Sequence, residues 1–202
     1  MKPKLLVVKT GEDSDSDNDD NNTTSAIVVD DNNIYFYCPV TIKNILDLTV
    51  NIKKITKKLQ ILGITFGNTP PEINLYINSG GGDVHAALSV LDLINTNPIP
   101  INTIITGMAA SAATLISLMG HKRYISSNSY MLIHNMSSSF WGKMHELQDE
   151  MKNMAKVTQH LKNIYLTNSN IKSKQLEALL KQDLLLEPDV ALKHGFVDEI
   201  NL

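Results

Sequence analysis

Two hydrophobic rhythms alternate along this chain from about Ser25 onward. Short runs rich in β-branched and aromatic residues read as strands: AIVV (26–29), IYFYC (34–38), INLYIN (73–78) and INTIIT (101–106). Between them apolar residues recur three and four apart, the helical period. Ile45, Leu48, Ile52, Ile55, Leu59 and Leu62 predict a helix over 42–63, with Thr41 as its cap. NTPP (68–71) breaks the chain, SGGG (79–82) leads into a helix predicted over 83–95, and NTNPIP (95–100) ends it. GMAASAATLISLMG (107–120) reads as a turn and a short helix, and KRYIS (122–126) and SYMLIH (129–134) as two more strands. A long helix is expected over 143–165, with Met144, Leu147, Met151, Met154, Val157, Leu161 and Ile164 on one stripe. Short helices at 173–182 and 188–194 and a strand FVDEI (196–200) complete the pattern.

Alternating strands and helices argue an α/β fold with mostly parallel pairing. The 202 residues suit one domain with a sizeable core. The long stripe exceeds what so small a domain needs, so part of it is expected to pack on another subunit. Residues 1–24 stand apart. They hold TGEDSDSDNDDNNTT (10–24), with six acids and no base over 12–20, too polar to bury a core. The expected division is a disordered acidic segment, 1–24, and a folded domain, 25–202.

Charge then narrows the function. The net charge is −3, and residues 32–202 carry 15 Lys/Arg against 13 Asp/Glu, so nothing points to nucleic acid or an anionic membrane. Cys38 is the single cysteine, which rules out an intrachain disulfide and favours a reducing compartment. No apolar run approaches membrane-spanning length. The expectation is a soluble, cytoplasmic protein.

The candidate chemistry sits in two segments of one design, INLYINSGGGDVHAAL and INTIITGMAASAATLI. Each is an apolar strand, a patch of small residues and a helix start. The first amides of a helix lack internal partners and face the positive end of its dipole. Two such starts side by side would hold an anion. That anion could be a phosphate or the oxyanion of acyl transfer, with the Gly82 and Ala112 amides as donors. Ser111 at the second turn could be a helix cap or a nucleophile, and a nucleophile needs an adjacent base. Of the six histidines, His134 closes the apolar run YMLIH, where sites collect in parallel sheets. His85, close behind the glycines, could line a substrate pocket. Asp183, Asp189 and Asp198 are all available to orient the imidazole. No Cys/His cluster or HExxH pair suggests zinc.

Together these segments resemble the proteolytic subunits of the Clp protease family (ClpP) over about Tyr35 to Ile200. The family's YINSPGG type appears as Tyr76-Ile77-Asn78-Ser79-Gly80-Gly81-Gly82 and its GxAAS type as Gly107 to Ser111. Its MIHxP type appears as Leu132 to Met136, and its D-(x)11-GxVD type as Asp183, Gly195, Val197 and Asp198. Gly80 and Met136 replace family prolines, Gln182 a basic residue used between rings, and Asn74 an aromatic of the docking surface. The resemblance implies a ClpP/crotonase-like superhelix of ββα units with a protruding handle helix at 143–165. It implies a Ser111–His134–Asp183 triad, an oxyanion hole of Gly82 and Ala112, and Gly81 and His85 beside the substrate. It implies a serine endopeptidase without cofactor, in a seven-membered ring or two stacked rings. An ATP-driven AAA+ unfoldase would feed it peptides or unfolded proteins. Rival readings are a crotonase-like acyl-CoA enzyme and a catalytically silent subunit of a mixed ring.

Overall fold

The computed structural model describes residues 27–137 and 141–201, so the acidic segment 1–24 lies outside the described residues. β1 (Ile27–Asp30) and β2 (Asn33–Phe36) pair as an antiparallel hairpin. α1 (Ile42–Phe66) opens on Thr41, whose hydroxyl accepts from the Asn44 amide at 3.1 Å. It stops at Gly67, in the left-handed conformation a helix end favours. The helix thus outruns the predicted 42–63, because Gly63 continues the helix and Gly67 ends it.

β3 (Ile73–Ser79) follows, then α2 (Val84–Thr96), whose cap Asp83 accepts from the His85 and Ala86 amides. β4 (Ile101–Ala110) leads into α3 (Ala112–Ser117), β5 (Arg123–Ser126) and β6 (Tyr130–Leu132). α4 (Met144–Thr167), α5 (Ser173–Leu180), β7 (Leu185–Leu186), α6 (Pro188–Lys193) and β8 (Glu199–Asn201) finish the chain. The sheet order is β1-β2-β3-β4-β5-β8, parallel apart from the first hairpin, with β6 also paired to β4 and β7 antiparallel to β6. Ile34, Phe36, Leu75, Ile77 and Ile105 share one core with Leu48 and Ile52 of α1 and Ala87 and Val90 of α2.

β4 corrects the expected turn at 107–110, which is strand. Its first half pairs with β5 through Thr103–Ile105, and its second half with β6 through Met108–Ala110. Between the halves the register with β3 slips, Ile77 facing Ile105 but Ser79 facing Ala109. Gly107 sits in the slip at φ 85, with its amide donating to Ser129 Oγ at 2.7 Å. A side chain there would press on Asn78 at 2.9 Å, so glycine lets the strand bend from one partner to the next. The last strand also differs from expectation. Phe196 and Val197 are buried in the core ahead of β8, and Asp198 precedes that strand.

On α4 only Tyr165 is buried. Met144 and Met151 are 71% and 67% exposed, whereas Leu147, Met154, Val157, Leu161 and Ile164 are partly covered and the last two pack against the core, so only the first part of the apolar stripe is open.

Candidate active site

The sheet register brings the three triad candidates to adjacent strand ends. Ala110 lies beside Leu132 in the β4–β6 pair, and the Ser111 amide donates to the Leu132 carbonyl at 2.8 Å. β7 faces β6 with Leu132 opposite Leu185. Extending that antiparallel register by two residues sets His134 opposite Asp183. The Asn135 amide holds this junction by donating to the Leu180 carbonyl at 3.0 Å. His134 Nδ1 and Asp183 Oδ1 stand 3.5 Å apart. That is wider than an N–H···O bond of about 2.7–3.2 Å. Asp183 is mostly open to solvent, and His134 is partly covered. Nδ1 is turned to Asp183, and no hydrogen bond joins His134 to the Ser111 hydroxyl in this structure.

Ser111 has φ 54 and ψ −125, a left-handed backbone rare for a residue with a side chain. Its hydroxyl makes no cap bond, so the helix-cap role weighed for it is not the one it plays. Its carbonyl is held instead. Thr114 Oγ1 donates to it at 2.6 Å, and Thr114 Oγ1 and Tyr165 Oη lie 2.6 Å apart. Since the Thr114 proton is engaged, Tyr165 must be the donor of the second bond. Burial pushes the Tyr165 phenol up to about 12, the Thr114 bond pulling slightly the other way, so it stays protonated. Sequence reasoning missed both residues. The signal was faint: a tyrosine closing a long helix, and a threonine three residues past the serine.

The glycine turn abuts the serine turn. A Cβ on Gly81 would collide with the Ala110 carbonyl, and would stand 2.7 Å from Ser111 Cβ and 3.1 Å from the Ala112 nitrogen. Val40 pins the glycines, its amide donating to the Gly81 carbonyl and its carbonyl accepting from Asp83, each at 2.8 Å. Among the described residues, neither the Gly82 nor the Ala112 amide has a hydrogen-bond acceptor. Both stay available to an anion.

A cleft of ≈ 570 Å³ joins Gly82, His85, Ser111 and His134, with Glu150 and Met154 of α4 on its far wall. A smaller pocket beside it reaches from Ser111, Ala112 and His134 to Leu161, Lys162 and Tyr165. Met136 lines both. His85 therefore lies where a substrate contact was expected. The rival carboxylates lie elsewhere. Asp198 is bound by Arg123, through Nε at 3.0 Å and Nη2 at 2.5 Å, which together hold its carboxyl below the usual range. Asp189 belongs to the first turn of α6. Cys38 is buried, and desolvation, then Asp47, pushes its thiol up to about 11, which suits a packing role.

A serine on a bent strand–helix junction, a histidine on the neighbouring strand end and free amides alongside form the arrangement of a serine hydrolase. The Clp protease family's model matches residues 39–201, and the chain belongs to that family. It is 32% identical over 143 residues to a Deinococcus radiodurans protein named ATP-dependent Clp protease proteolytic subunit, covering 70% of each chain. This is a serine-type peptidase. Among the described residues, no helix is long and apolar enough to cross a membrane.

Proposed function

We propose that this chain is an endopeptidase that works through a Ser111–His134–Asp183 triad and an acyl-enzyme. The observation that carries the reading is the convergence of β4, β6 and β7, whose pairing leads Ser111, His134 and Asp183 to one place. His134 takes the Ser111 proton as the hydroxyl attacks a peptide carbonyl. The Gly82 and Ala112 amides receive the negative oxygen. His134 then gives its proton to the leaving amine, and water repeats the sequence to release the acyl group. Asp183 keeps the imidazole in the working tautomer and stabilises its cation. Each step uses the chain's own groups, with no metal or organic cofactor.

The exposed Met144 and Met151 of α4 support assembly into a ring enclosing these sites, seven-membered as the family resemblance implies. An ATP-driven unfoldase would deliver unfolded chains to it, and the cytoplasm is the working place proposed. Fluorophosphonate labelling with an intact-mass readout tests the chemistry. Wild type should gain one adduct, and Ser111→Ala and His134→Ala none. Peptide turnover by Ser111→Ala should fall by up to roughly 10⁶ in kcat. Retention of a tenth of wild-type turnover by Ser111→Ala would remove Ser111 as nucleophile.

A further inference from the structure

Lys162 stands in this site with no part in the chemistry above. It lies on α4, one turn after Thr158, and lines the small pocket with Ser111, Ala112 and His134. Val84, Leu115, Met136 and Leu161 supply apolar walls to that pocket, and Asn135, Thr158 and Tyr165 polar ones. Lys162 is half-buried. Among the described residues, no carboxylate lies within ion-pair distance of it, and its ammonium donates no hydrogen bond. A partly desolvated cation without a counter-ion favours a ligand that brings one.

The adjoining larger cleft has the opposite character. Asp83 and Glu150 line it, and no lysine or arginine does. Asp83 is engaged in capping α2, while Glu150 has no cationic partner among the described residues. An acidic side chain is thus repelled from the large cleft and drawn to the small pocket. That pocket opens on both Ser111 and Ala112, the nucleophile and an oxyanion donor. A carbonyl attacked there would turn its own residue's side chain toward this pocket.

We infer that Lys162 is a specificity-determining residue that selects an acidic side chain at the residue donating the scissile carbonyl. Of the two acidic side chains, glutamate reaches farther toward Lys162. The inference rests on the reading of Ser111 and His134 as the reacting pair.

Matched fluorogenic peptides differing only in Glu, Gln or Met at that residue test it on the assembled full chain. Fluorophosphonate labelling of each enzyme reads Ser111 independently of any peptide side chain. Wild type should prefer Glu over Gln in kcat/KM by about five- to tenfold, the range for a partly screened charge pair. Lys162→Met should abolish that preference, and Lys162→Glu should turn it against the Glu peptide. Equal turnover of Glu and Gln peptides by a wild-type enzyme that labels overturns the inference. So does a Glu preference that survives in Lys162→Met. A wild-type enzyme that fails to label overturns instead the assignment of Ser111 beneath it.

Discussion

Two aspartates near the end of the chain sit in different surroundings, Asp183 beside His134 and Asp198 on Arg123, and single substitutions should separate their roles. Asp183→Asn keeps the shape of the side chain but removes the charge that supports the imidazolium. Its kcat should fall by roughly 10²–10⁴, with melting temperature nearly unchanged, since the group is mostly solvated. Asp198→Asn should do the reverse, lowering Tm by about 2–4 °C with turnover within a few-fold of wild type. Because Arg123 holds the Asp198 carboxyl below its usual range, its contribution is present above about pH 4. That contribution is lost as pH falls through the lowered folded value, so the Tm gap between Asp198→Asn and wild type should narrow as thermal melts are taken further below the ordinary carboxylate range. Tyr165→Phe removes one donor from Thr114 in a buried site. It should cost about 1 kcal/mol in denaturant unfolding and slow turnover a few-fold. The place of His134 at the end of an apolar run was legible in sequence, whereas Ser111 read as lying in a turn. Asp183 was not separable from Asp189 and Asp198 by position alone, because a two-residue strand fixes its place.

At the level of elements, that short strand was the one missed. Leu184-Leu185-Leu186 offers too little period to distinguish a strand from an apolar loop, and only pairing with β6 gives it identity. The bend of β4 was hidden in the same way: small residues at 107–110 look like a turn until β6 is there to pair with them. Long amphipathic helices and their caps were readable because Thr41 and the three-to-four spacing are local signals. The two glycine positions next to the serine give a paired test. At Gly80 an added Cβ meets nothing within 4 Å and φ lies outside the left-handed region, so Gly80→Ala should fold and label normally. It should be stabilised by about 0.4–1 kcal/mol in denaturant unfolding. At Gly81 φ is 88 and the new methyl would strike the Ser111 turn. Gly81→Ala should lose most fluorophosphonate labelling even where circular dichroism shows the sheet formed.

For the molecule as a whole, the exposed residues of α4 set the expectation. Met144→Glu with Met151→Glu should leave the single chain folded but shrink its assembly. Light scattering would see this as a loss of the assembled species, about 157 kDa for the proposed ring of seven 22.4 kDa chains. An unchanged assembly in the double variant would show that this face is not the contact. The left-handed backbone of Ser111 reaches further than the reaction. Such a conformation costs a side-chain-bearing residue of order 1 kcal/mol, and glycine is relieved of it. Ser111→Gly should therefore melt about 2–4 °C above Ser111→Ala, though both are dead. Descent without selection for cleavage would then have a direction: copies of this gene freed from the need to cut would drift toward glycine at the nucleophile, gaining durability as they lose their trade.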